Sequence, residues 1–484
     1  MDRQREVYII GKHPLVRSLT QQYEAKGYCI EQRQDLANNS ININDYDELC
    51  LLANAGEDDK TIALLADMAK KYDVDSHGGN RMICHLMLHS NHTLQMLHTC
   101  DLCDEVKNKI DVYPFTMEEV WSRSIVLDYE PITIQSEKHA HLVIFGMGEL
   151  AEMVAIQAAH VAHYPNYVRN HSLRTRITMI DKDAGQKSES FIKKHQSLFD
   201  NSYYRVIKPS EEKAVVKFHR PMFEGKREDF VDVEWEFVEA ESWNPDVREK
   251  LQLWAKDEKQ LLTVVMADKD NSKNKSESIL LPQELYQQSI PIYTYSQQCS
   301  GYDVTMPLVR MAKNVNYIYN QCYKDNVKDW KGFLRYSVEI DPKERELMWE
   351  KLSSVKRMSS ICNAMTIPSK MRSIGLGEGD WDKFYDIPQQ NIELLAQVEH
   401  NRWCVEELVL GFRPCTDEEQ RIISSDVTTQ KEAYKARKIH YDLRAYDDLR
   451  PDKTGRGVQV YDLCLSACLP LIAKAFSDEK GGNE

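Results

Sequence analysis

Short apolar runs alternate with longer stretches whose apolar residues recur at helical spacing, and this pattern holds over most of the first 300 positions. The clearest case begins at Leu142–Phe145, a compact apolar run that reads as a buried strand. Gly146-x-Gly148-x-x-Ala151 follows at once, and a helical pattern then continues to about His163. Ile177–Ile180 is a second strand and ends in Asp181. Val231–Glu239 (VDVEWEFVE) alternates like a half-buried strand. Leu261–Ala267 is apolar and precedes the polar DKDNSKNKSES, and Ile292–Tyr295 is one more short strand. Strands alternating with helices predict a parallel sheet covered by helices on both faces.

The first 125 residues repeat this plan in worn form. Val7–Ile10 is a strand ending in Gly11, a helix runs from about Leu15 to Lys26, and Tyr28–Gln32 is a second strand. Leu49–Ala53 is a buried strand, followed by the polar NAGEDDKT and a helix over Ile62–Lys71. That block aligns in outline with LLTVVMADKDNSKNKSES, as an internal duplication would. The first copy offers only Gly11, and Lys12, His13 and Pro14 crowd its turn, so its expected role is structural. Past residue 300 the β alternation stops, and GLGEGDWDKFYDIPQQ forms a boundary before a last region framed by two helices. The predicted fold class is α/β. Tandem Rossmann-like, doubly wound parallel sheets occupy 1–130 and 138–300, a helical connector 301–390, and a small, mostly α domain 391–476.

Composition narrows the setting. A chain of 484 residues is long enough for about three domains. Its 62 Lys and Arg against 76 Asp and Glu leave a net charge of −14, which argues against direct binding to nucleic acid. No apolar run approaches the roughly 18–20 residues of a membrane helix, so no membrane insertion is expected. The N-terminus lacks the apolar core of a secretory signal, and the twelve scattered cysteines read as reduced thiols. A cytoplasmic location is expected.

The glycine turn carries the main candidate chemistry. Gly146 permits a tight turn after the strand, Gly148 lets a phosphate approach the backbone, and Ala151 lets the helix pack close to the strand. Glu149 opens that helix, whose free N–H groups would face an anion. Asp181 is placed to accept hydrogen bonds from a ribose, although it lies further from Gly148 than the usual twenty or so residues. The intervening HYPNYVRNHSLRTR must lengthen the helix or loop out. Asp268 stands at the carboxyl end of its strand, with a loop or cap role as the alternative. No metal site is expected. In Cys84–Cys103 only Cys100-x-x-Cys103 has ligand spacing, and Ile83–Leu88 reads as the fifth strand of the first unit, carrying His85. Cys464 and Cys468 read as packing. No P-loop, nucleophile elbow, H-E-x-x-H or calcium loop occurs, and no catalytic residue is assigned.

Two family resemblances follow. The strand–Gly146–Gly148–Ala151–helix unit, with Asp181 and the strand before Asp268, resembles the TrkA-N (RCK-type) nucleotide-binding domains of potassium-transport regulators. The segment LAQVEHNRWCVEELVLGF (Leu395–Phe412), then His440, Asp442 and Leu443, then Tyr446-Asp447-Asp448-Leu449, resembles the ryanodine-receptor repeat, or RyR domain. KRMSSICNAMTIPSKMRSIG is similar to the helical segment preceding this repeat in bacterial chains that pair the two. The run RPDKTGRGVQVYD departs from the repeat's usual acidic and basic residues. The pairing implies a bacterial ligand sensor in signalling or phage defence, with NAD or another adenine nucleotide as ligand and no metal. It also implies a homodimer, with a pairing of the tandem units inside one chain as the alternative, and a separate membrane or effector partner. His400, Arg402, Trp403, His440, Tyr446 and Asp447 are the candidate ligand residues of the second resemblance. Trp403 and Tyr446 are suited to stacking, and His400 and Asp447 to polar recognition. The competing reading makes Trp403 core and His400 and Arg402 internally satisfied. Two functional alternatives stand beside the sensor: an NAD(P)-dependent or nucleotide-cleaving enzyme, and a structural protein without ligand.

Overall fold

The computed structural model describes residues 4–34, 42–209, 215–221, 229–296, 301–324, 339–377, 379–425, 427–449 and 458–473. The chain divides into two compact units. The first joins 1–124 to 296–307 and 347–358; the second comprises 125–295, 308–346 and 359–484.

In the first unit the strands are β1 (Glu6–Ile10), β2 (Cys29–Arg33), β3 (Glu48–Leu52), β4 (Met82–Met87) and β5 (Ile110–Phe115). They form a parallel sheet ordered β2-β1-β3-β4-β5. The run carrying His85 is therefore the fourth strand, not the fifth. The fifth, IDVYPF, holds Pro114, which cannot donate to a sheet ladder and is tolerated at this edge. Gly11 is demanded by the fold itself. Its φ is +140°, and a Cβ there would lie 2.6 Å from the Leu52 carbonyl oxygen. His85 is spent inside the sheet: its Nδ1 lies 2.6 Å from the Tyr302 hydroxyl, and Tyr302 stacks on Phe115. Among the described residues, no group of three or more His, Cys, Asp or Glu is placed to hold a metal ion.

In the second unit β6 (His139–Phe145) is central. Around it lie β7 (Thr175–Asp181), β8 (Tyr203–Lys208), β9 (Val215–His219), β10 (Val233–Glu239), β11 (Gln260–Met266) and β12 (Ile292–Thr294). The order is β12-β11-β6-β7-β10-β8-β9, parallel throughout except for the antiparallel β8–β9 pair. The run β7-β6-β11-β12 matches β2-β1-β3-β4 of the first unit in spatial order. The second unit adds β8, β9 and β10 beyond β7. β6 begins earlier than its apolar run because His141 is buried between Gln260 of β11 and Thr178 of β7, at 2.7 and 2.8 Å. Burial holds that imidazole well below its ordinary pKa, so it stays neutral. The segment after β6's helix loops out through a short turn of helix at Asn166–Arg169.

The helical part of the second unit centres on the helix Gln389–Val409, which is buried on most of its circumference. It packs against the helix Gln459–Ala467 and against Glu149–Val161, the helix that follows the glycine turn. Among the described residues, no helix is long and apolar enough to cross a membrane.

Candidate functional site

The chain leaves β6 toward β7 on one side and later returns to β11 on the other. The loops after β6 and β11 therefore diverge and open a crevice at the carboxyl edge, where ligands of such sheets bind. A cavity of about 470 Å³ occupies this place, within the range of small-molecule sites. The structure brings Gly146, Gly148, Glu149, Asp181 and Asp268 together in its lining, and Ala151 lies outside it.

Gly146 turns the chain at φ +110°, and its N–H donates to the Ile180 carbonyl at 2.8 Å. Ala151 packs below it: a Cβ on Gly146 would stand 3.9 Å from the Ala151 methyl. Gly148 is different. Its φ is an ordinary −86°, and a Cβ there would meet nothing within 4 Å. The fold leaves this space open beside the cavity. Gly148 also begins the helix Glu149–Val161, and no side chain caps that end. The corresponding helix of the first unit, Leu15–Ala25, differs in that its Leu15 N–H donates to His13 Nδ1 at 3.2 Å.

The two aspartates are each held by a lysine. Asp181 takes Lys187 Nζ at 2.8 Å on both oxygens, and Asp268 takes Lys273 at 2.7 Å. Burial opposes the charge on each carboxyl, yet the lysines and local backbone N–H groups outweigh it and hold both below the usual carboxylate range. Glu149 pairs with Lys269 at 2.9 Å. Together with Lys182, the lining thus holds four lysines beside five carboxylates, those of Glu149, Asp181, Glu241, Asp268 and Glu277. Lys269 and Lys273 went unread in the sequence because DKDNSKNKSES looks like any solvated loop, and Lys182 and Lys187 because DKDAGQK does the same; only their places after β11 and β7 give them a role.

The candidates of the C-terminal segment separate. His400, Trp403, His440 and Tyr446 form one aromatic cluster. Trp403 meets His440 edge-on with centroids 4.8 Å apart, and His400 lies 5.7 Å from both Trp403 and Tyr446. His400 Nε2 donates to the Arg444 carbonyl at 2.8 Å, and its Nδ1 lies 3.5 Å from Asp462. Burial pushes His440 down to about 3, leaving it neutral. Arg402 lies outside this cluster. Its guanidinium is buried against Glu399 at 3.0 Å and Glu406 at 2.6 Å, and Lys370 joins Glu399 at 2.6 Å. Asp447 is exposed in a short turn. Residues 450–457 of the divergent RPDKTGRGV run lie outside the described residues.

No protein-family model and no curated protein matches this chain. Among solved structures, the chain is similar to NtrX from Brucella abortus, crystallised with ADP. Identity is 8%, coverage is 91% of this chain and 99% of that one, and the TM-score is 0.16. A likeness of that size carries no argument about fold or ligand.

Proposed function

We propose that this protein is a cytoplasmic ligand sensor that binds an adenine nucleotide, NAD-like in class, at the carboxyl edge of its second sheet. One observation carries the reading: Gly148 starts an uncapped helix beside a cavity, at a position whose missing side chain the fold does not require. Backbone N–H groups of that helix start would face the phosphates. Three of the four lysines pair with carboxylates of the same lining, which leaves Lys182, exposed and without an ion pair among the described residues, as the cation most open to an anion.

The sensing part of the proposal rests on packing. The helix that would receive the phosphates is the one against which Gln389–Val409 lies, so ligand-dependent preference for one position of the first bears on the second. The aromatic cluster of His400, Trp403, His440 and Tyr446 sits on that second helix and its partners, as a second ligand surface or as the element that responds. Output then passes to a separate effector, with the chain acting as a homodimer.

Thermal-shift titration of the full chain with NAD(H), NADP(H), ATP, ADP-ribose and cyclic nucleotides tests this, with product analysis of each mixture. A nucleotide that binds raises the unfolding midpoint by mass action. Gly148→Trp, which fills the open space, should abolish the shift while leaving the ligand-free midpoint in place. If no nucleotide shifts the wild type, or if Gly148→Trp shifts equally, the proposal fails. Turnover of any of them would move the reading to an enzyme.

A further inference from the structure

Asp181 is fully engaged before any ribose arrives. Lys187 donates to both of its oxygens at 2.8 Å, the Asp183 N–H to Oδ1 at 2.9 Å, and the Met147 N–H to Oδ2 at 3.0 Å. A carboxylate offers about four acceptor directions, and these contacts fill them. The lysine is the outer member of the pair: its side chain is 40% exposed against 12% for Asp181. Asp183 also faces the same ammonium, at 3.7 Å.

We propose that Lys187 makes this site select a nucleotide whose ribose carries a phosphate, as in a 2′-phosphorylated adenine dinucleotide, over one with a free diol. This rests on the nucleotide reading above. A free diol reaches Asp181 only by displacing Lys187 from both oxygens, and the displaced ammonium then faces an uncharged sugar. A ribose phosphate instead offers Lys187 charged acceptor oxygens, and charge-assisted hydrogen bonds of that kind are the stronger ones. Asp181 is not stranded by the exchange, because the N–H groups of Met147 and Asp183 continue to hold it. Lys182 lines the cavity one residue beyond Asp181, is exposed, and has no ion pair among the described residues, so a second cation is at hand. Lys273 is committed to Asp268 on the β11 side.

Calorimetric titration of the full chain with NAD and NADP, for the wild type, Lys187→Met and Lys187→Arg, tests the assignment. The wild type should bind NADP more tightly. Lys187→Met should lower the NADP-to-NAD affinity ratio by about tenfold or more, the scale of a lost hydrogen bond to a charged group, and Lys187→Arg should retain it. Lys187 is the exposed partner, and the Met147 and Asp183 N–H groups still hold Asp181 in its absence, so Lys187→Met should unfold close to the wild-type midpoint without ligand. A wild type that prefers NAD, or a ratio unmoved by Lys187→Met, overturns this inference and leaves nucleotide binding standing. Binding of ATP or ADP-ribose with no response to a ribose phosphate does the same. Failure of every nucleotide to bind any of the three proteins removes both readings.

Discussion

Three glycines in comparable sequence positions answer to three different physical demands. Gly11 is required twice over, by φ +140° and by a Cβ that would strike Leu52. Gly146 is required by its φ of +110° alone, since the nearest atom to its Cβ would be 3.5 Å away. Among the described residues, nothing requires Gly148. Alanine should therefore destabilise in that order, measured by urea unfolding. Gly146→Ala should cost about 1–3 kcal/mol, the scale of a non-glycine residue held in such backbone space, and Gly11→Ala should cost more. Gly148→Ala should stay within about 0.5 kcal/mol, as surface changes do. A Gly148→Ala penalty equal to that of Gly146→Ala would mean that the fold, not a ligand, keeps this glycine. The motif was legible from sequence. Which of its glycines is free to serve a ligand was not, because φ and the space around an absent Cβ are properties of the folded turn.

At the scale of elements, the helix Gln389–Val409 shows how a polar sequence can form a buried core. Its periodicity reads as amphipathic, yet Glu399, Arg402 and Glu406 are buried with its leucines because they neutralise one another and Lys370. Replacing Arg402 with Met leaves Glu406 without its cation and Glu399 with Lys370 alone, and should cost about 3–5 kcal/mol. The same cluster makes stability depend on pH. Burial opposes the charge on Glu399, but Arg402 and Lys370 prevail and hold it at about 2, against about 4.3 for an unfolded glutamate. A folded pKa below the unfolded one means that stability is fully present above about pH 5 and is lost as pH falls toward 2. Urea titrations at pH 7, 5 and 3 should show this loss in the wild type and a flatter profile in Glu399→Gln. Equal slopes in the two proteins, or a cost under 1 kcal/mol for Arg402→Met, would dismiss the cluster as a stabilising device. Elsewhere the elements missed from sequence share a cause. β5 contains a proline, β9 is the sheet edge with exposed or half-buried residues, and β8 beside it buries only Ile207. Such strands need no apolar run, so the apolar pattern does not mark them.

For the whole molecule, two compact units predict unfolding that is not two-state. Calorimetry should resolve two transitions, and a nucleotide bound at the β6–β11 crevice should raise only that of the second unit, by about 2.7 kcal/mol at a hundredfold excess over Kd. A single transition, or equal shifts of both, would contradict this assignment. The sequence by itself determined the α/β class, the tandem sheets, the glycine turn and the aspartates at two strand ends. Each of these depends on local period or on residues within one strand–turn–helix unit, which neighbouring positions specify directly. Tertiary structure alone decided the strand order that opens the crevice and the return of residues 296–307 to the first unit. It also placed Lys187 on Asp181, Lys273 on Asp268, and Arg402 in an ion cluster away from the aromatic residues around Trp403. Lys187 and Lys273 reach their aspartates only because a strand-to-helix turn folds back on itself, and Lys370 joins the Arg402 cluster from another helix. A side chain's charge can be read from the chain; its partner is chosen only when packing brings the two within reach and takes water away.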